Sequence, residues 1–244
     1  MSEAAGKMRI GISSCLLGEK VRYDGGHKLD RYLKDVLGPF VQWVPVCPEV
    51  ECGLPIPREA MHLESDATQA GTGKPRLVTL RTKIDHTERM LRWVRSRLAE
   101  LEREELCGFI FKKDSPSSGL YSVKLYSVNG APVGRTSGLF AGAFAERFPL
   151  IPVEEEGRLN DPGLRENFIE RIFVFDRWRR FLREDVSTGG FVRFHTGHKL
   201  LIMSHDPKAV SELGKIVAGV RPKSKDAAYD PYIRKLMESL RAEA

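Results

Sequence analysis

Met8-Arg9-Ile10-Gly11-Ile12-Ser13 is an apolar run that passes at once into Ser14-Cys15-Leu16-Leu17-Gly18. A short, continuous apolar run bounded by turn formers predicts a strand covered on both faces, as strands of a parallel sheet are. Two other runs repeat the pattern. Val41-Gln42-Trp43-Val44-Pro45-Val46 leads into Cys47-Pro48-Glu49, and Gly108-Phe109-Ile110-Phe111-Lys112 leads towards Ser115-Pro116-Ser117-Ser118-Gly119. Arg76 to Leu80 reads as an edge strand, and Tyr121 to Tyr126 as a further strand before the turn region of Gly130 and Gly134.

Helical segments separate these runs. Leu29 to Leu37 lies between the first two. A second helix is predicted from Asp85, with Glu88 completing a capping box and Met90, Leu91, Val94, Leu98 and Leu101 forming one apolar face. Strand and helix in alternation predict an α/β fold, a mostly parallel sheet with flanking helices.

The pattern changes near residue 150. Pro149, Pro152 and Glu154-Glu155-Glu156 read as a linker, which divides the chain into an α/β domain over 1–148 and a smaller all-α domain over 149–244. Asp161-Pro162 starts a helix with proline at its first position. Phe168, Ile169, Ile172, Phe173, Phe175, Trp178, Phe181 and Leu182 give that helix an aromatic face, expected to dock on the first domain. Asp206-Pro207 and Asp230-Pro231 are further start signals.

The composition is that of a globular protein, 41% hydrophobic and 30% charged, with a net charge of +6. No basic run of nucleic-acid type occurs. The arginines 171, 177, 179, 180 and 183 are partly balanced by acids, so a small molecule rather than nucleic acid is the expected partner. No window approaches the roughly 20 apolar residues of a membrane helix, and Met8 to Ser14 is too short for a signal peptide. The expected location is the cytoplasm, where Cys15, Cys47, Cys52 and Cys107 stay reduced.

Cys15, Cys47 and the Ser115 loop each follow the carboxyl end of a strand, where open α/β sheets bind ligands. Soft thiolates in such loops suit zinc or an iron–sulfur cluster. The absence of a Cys-x-x-Cys pair speaks against a zinc ribbon. Glu49, two residues from Cys47, is a candidate general base. Cys107 opens its strand at the opposite end and reads as structural. His195, His198 and His205 lack the spacing of a shared metal site, and His27 lies near the crevice.

These motifs carry a resemblance. Ser13 to Gly18, Val21-Arg22-Tyr23-Asp24-Gly25-Gly26, Cys47-Pro48-Glu49, Gly53-Leu54-Pro55-Ile56-Pro57-Arg58 and Ser115-Pro116-Ser117 resemble the domain of unknown function 523 family, which includes thiouracil desulfurases. Phe194 to Lys199 and Met203-Ser204-His205 resemble the start of the domain of unknown function 1722, here about the first half of its usual length. The first resemblance implies a [4Fe–4S] cluster on three cysteines and non-redox removal of sulfur from a thiolated pyrimidine or similar small thioamide. It implies Cys15 and Cys47 as ligands, Glu49 and Ser115 as catalytic groups, and Arg22, Asp24, Arg58, Ser117 and Ser118 around the substrate.

The family's third ligand stands in Ser-Pro-Ser-Cys-Gly, and Ser118 occupies that position here. Cys52 is then the expected replacement ligand, giving a site of Cys15, Cys47 and Cys52. Two other readings stay open: a structural or redox-sensing cluster, and a metal-free module that binds an anion or nucleotide through Arg22, Arg58 and Lys112.

Overall fold

The computed structural model describes residues 6–65, 74–220 and 225–241. The α/β part contains β1 (Met8–Ser13), β2 (Val41–Val46), the one-turn helix α1 (Pro48–Glu51), β3 (Met61–Ser65), β4 (Arg76–Thr79) and α2 (Thr87–Arg103). It continues with β5 (Gly108–Phe111), β6 (Val123–Ser127), β7 (Pro132–Thr136), α3 (Leu139–Arg147) and β8 (Val153–Glu155). One sheet has the order β2-β1-β5-β8 and is parallel throughout. The α/β expectation holds.

The strand order positions the site. From β1 the chain moves outwards to β2, and from the neighbouring β5 it moves the other way to β8. Loops leaving two adjacent strands in opposite directions open a crevice at their carboxyl ends. Gly11 lets β1 and β5 approach: it is paired with Phe109, and a Cβ at Gly11 would stand 2.1 Å from the Phe109 ring. Phe109, Phe111, Phe140 and Phe144 are fully buried and in mutual ring contact. Each such ring stabilises the fold by roughly 1.5–3 kcal/mol relative to exposure.

Glu154-Glu155-Glu156, expected as a linker, instead supplies the edge strand β8 and the residue after it. Its carboxylates are held: Glu155 Oε1 accepts from the Leu120 amide at 2.7 Å, and Glu154 Oε1 from Arg158 Nε at 2.8 Å. Those partners offset burial that would otherwise exclude acids. A second sheet, β4-β3-β6-β7, is mixed, with β3 and β6 parallel and the outer pairs antiparallel. Arg76–Thr79 is thus an edge strand, but of this second sheet.

The Leu29–Leu37 segment is a wide π-type turn, Tyr32–Leu37, rather than a regular helix. Helix α2 begins two residues after Asp85, whose Oδ1 accepts from the Thr87 amide at 2.8 Å. Met90, Val94 and Leu101 form its buried stripe.

The chain divides into two compact units, residues 1–149 with 153–159 and residues 150–152 with 160–244. The second contains α4 (Pro162–Glu184), α5 (Thr188–His205), α6 (Pro207–Ala218) and α7 (Lys225–Ser239). Asp161 and Asp206 cap α4 and α6 by accepting from first-turn amides. Trp178 and Phe181 of the aromatic stripe pack on Phe191, Phe194, Tyr229 and Tyr232, within the unit's own core. Pro231 lies inside α7 rather than at its start. Tyr229, Tyr232, Ile233, Leu236 and Met237 form a buried stripe running through it, which outweighs the ~3 kcal/mol that an interior proline costs.

Candidate active site

Three loops meet at one cavity of about 340 Å³ in the first unit, at the carboxyl ends of β1, β2 and β5. Cys15 enters from a tight 3-10 turn, Ser14–Leu17, directly after β1. Cys47 precedes α1, and its amide donates to Glu51 Oε1 at 2.8 Å, which fixes the turn. Ser115 and Ser118 come from the loop after β5 and also line the cavity.

Both thiols are buried. Burial pushes the Cys15 thiol up to about 11, against the opposing pull of Lys112 and Arg22. Burial also pushes Cys47 up to about 12, with the Glu49 charge adding to the rise. The Cys47 Sγ lies 3.7 Å from Glu49 Oε2. Without a bound cation both remain thiols at neutral pH.

Glu49 is 8% exposed and held from two sides. Ser117 Oγ donates to Glu49 Oε1 at 2.6 Å, and Arg58 Nη2 lies 3.8 Å from Oε2. Arg58 is anchored in turn, Nη1 donating to the Val21 carbonyl at 3.0 Å, while its buried Nε has no hydrogen-bond partner among the described residues. Ser117 has one hydroxyl proton, and Glu49 takes it. The 3.1 Å contact between Ser115 Oγ and Ser117 Oγ is then donated by Ser115. Ser115, Ser117 and Glu49 form a directed chain from cavity to carboxylate.

Close packing holds this loop. A Cβ at Gly138 would stand 2.5 Å from the Ser117 carbonyl carbon and oxygen, so only glycine permits the approach.

The expected site residues separate into two groups. Cys15, Cys47, Glu49, Arg22, Arg58, Ser115 and Ser118 line the cavity, and Ser117 supports it from behind. Asp24 and Cys52 do not line it. Asp24 is exposed, with Oδ1 accepting from the Gly26 amide at 2.9 Å in a surface turn. Cys52 follows α1, and its Sγ turns to the Glu49 carbonyl at 3.2 Å. The three-cysteine arrangement of Cys15, Cys47 and Cys52 is not brought together.

Cys107 and His27 also lie outside the lining. His195 bonds Tyr232, His198 bonds Phe194 and Arg177, and His205 bonds Glu170. Among the described residues no group of three or more His, Cys, Asp or Glu is arranged around a metal ion. No described helix is long and apolar enough to cross a membrane.

Lys28, Glu59, Ala60, Met61 and Lys113 are further lining residues beyond the expected ones. Glu59 to Met61 escape notice in the sequence because β3, Met-His-Leu-Glu-Ser, has no continuous apolar run to announce it.

The sequence profile of the 2-thiouracil desulfurase family matches residues 10–156, and that of DUF1722, a protein of unknown function, matches 199–244. No curated protein matches the chain. A solved structure of the [4Fe-4S]-dependent thiouracil desulfidase TudS is 30% identical over 63% of this chain and 94% of that one, with a TM-score of 0.48. The profile match covers the cavity-forming loops and more than half the residues, and the chain belongs to the 2-thiouracil desulfurase family of enzymes.

Proposed function

We propose that this enzyme replaces the sulfur of a thiolated pyrimidine, or a similar small thioamide, with oxygen from water, using a [4Fe–4S] cluster held in the cavity. The carrying observation is the convergence of Cys15 and Cys47 with a buried, doubly held Glu49. The donor set fits the cluster. Cys15, Cys47 and Ser118, all buried, line one cavity from separate loops. Lys112, Arg22 and Arg58 stand near enough to offset the charge of bound thiolates.

Hydrolysis of a thiocarbonyl consumes water and yields a carbonyl and hydrogen sulfide. The carbon keeps its oxidation level, so no electron donor is required. Cys15 and Cys47 would hold the cluster, which when bound supplies a soft Lewis acid for sulfur.

The protein's own groups handle the protons. Glu49 accepts a proton from water at the substrate carbon, directly or through Ser115 and Ser117. The same carboxyl then returns a proton to the departing sulfur. Arg58 and Ser117 hold both oxygens, so the carboxylate needs no reorientation between the steps. Arg22 and Lys28 at the cavity wall supply donors for the pyrimidine carbonyl.

The test is anaerobic reconstitution with iron and sulfide, followed by 2-thiouracil in heavy-oxygen water. The expected result is uracil carrying heavy oxygen and one sulfide per uracil, from iron-loaded protein only. Equal conversion by iron-free protein, or a protein that stays colourless, contradicts it. The second outcome is the one a metal-free binding module gives.

A further inference from the structure

We infer that the Ser118 hydroxyl, and not the Cys52 thiol, is the third protein donor to the cluster, an inference that rests on the function proposed above. Cys15, Cys47 and Ser118 come one each from the loops after β1, β2 and β5, and all three line the same cavity. Cys52 lines no part of it. Its sulfur is engaged with the Glu49 carbonyl at the far end of α1. Bringing Cys52 round would unwind the turn that positions Glu49.

Ser118 is 3% exposed, yet among the described residues its hydroxyl has only a 3.4 Å contact with Ser117 Oγ. The Ser117 proton is committed to Glu49, so Ser117 can offer Ser118 only a lone pair, and a distant one. A buried hydroxyl so weakly satisfied, on a residue that lines a cavity together with Cys15 and Cys47, marks a place where something else binds. Its amide is anchored by Ser115 Oγ at 3.2 Å, and Gly138 is packed against that amide, so the donor is rigidly held.

Binding as an alkoxide forms an iron–oxygen bond and breaks the Ser118 O–H bond. The proton leaves through the open cavity to water, without need of the Glu49 carboxylate. An alkoxide is a harder donor than a thiolate and favours the more oxidised iron. A cluster on two sulfurs and one oxygen is therefore harder to reduce, which suits a reaction that transfers no electrons.

The experiment compares wild type with Cys15→Ala, Cys52→Ala, Ser118→Ala and Ser118→Cys after identical anaerobic reconstitution. It measures bound iron, visible absorbance, iron loss to a chelator and the midpoint potential, with circular dichroism as the check on folding. Cys52→Ala should match wild type in all four. Ser118→Ala should lose iron about tenfold faster or more, the scale expected when a metal's support is removed. Ser118→Cys should retain iron and shift the potential upwards. The inference is overturned if Cys52→Ala loses iron while Ser118→Ala does not, or if Ser118→Cys leaves potential and absorbance unchanged. If Ser118→Ala is misfolded, Ser118→Cys decides alone. Failure of the functional proposal looks different: wild type then binds no iron, or Cys15→Ala binds as much as wild type.

Discussion

Ser117 Oγ donates a 2.6 Å hydrogen bond to Glu49 Oε1 across 68 positions of sequence, joining the loop after β5 to the one-turn helix α1 that follows β2. Ser117 is fully buried and does not itself line the cavity. Its role is to orient the carboxylate and to connect it to Ser115. Ser117→Ala should lower kcat by roughly 10- to 100-fold, below the full effect of a general base, with KM nearly unchanged. Steady-state kinetics on iron-matched protein check this; a rise in KM at constant kcat would show a binding role instead.

Arg58 is the counterpart on the other carboxylate oxygen, and both side chains are almost completely buried. Arg58→Met leaves a buried carboxylate with one partner fewer and should cost about 1–3 kcal/mol of stability. Urea unfolding of the iron-free protein measures it. Arg58→Lys should recover little, because the guanidinium reaches the Val21 carbonyl and Glu49 at once.

The legible part of the fold is the part made of continuous apolar runs. β1, β2 and β5 could be read directly, and with them the crevice at their carboxyl ends. β8 could not, because two of its three residues are glutamates whose burial depends on Leu120, Arg158 and other distant partners. The site divides the same way. Cys15, Cys47 and Glu49 line the cavity because each lies within three residues of the carboxyl end of a strand, a position the sequence displays. Cys52, expected beside them, does not line the cavity, because one helical turn brings its sulfur to the Glu49 carbonyl. The Ser117–Glu49 bond has no local signature at all.

Gly138 stands against the backbone of Ser117 and Ser118. Gly138→Ala must push that backbone away, at a cost of about 1–3 kcal/mol for overpacking. Activity should fall more than stability accounts for, since the displaced loop carries Ser115, Ser117 and Ser118. Comparing thermal unfolding with turnover well below the melting point separates the two effects.

The helical unit should be acid-sensitive. His198 Nε2 accepts from Arg177 Nε at 2.8 Å, so its Nδ1 carries the proton donated to the Phe194 carbonyl, and the ring is neutral. Burial pushes His198 down, the Phe194 carbonyl opposes this, and Arg177 adds to the fall; burial also lowers His195. A histidine lowered in the fold contributes its full stability above the ordinary value of 6.5, and loses it as the pH falls below that. The melting temperature should drop between pH 7 and pH 5, and less steeply in His195→Asn/His198→Gln.

The most direct test of the proposed chemistry is turnover of 2-thiouracil by Glu49→Gln with its cluster loaded. The glutamine amide fills the same space as the carboxylate and can still meet Ser117, but it cannot take up a proton. Iron content and absorbance should equal those of wild type, with release of uracil and sulfide reduced by about 10²- to 10⁴-fold. Wild-type turnover by this iron-loaded variant would contradict the role given to Glu49.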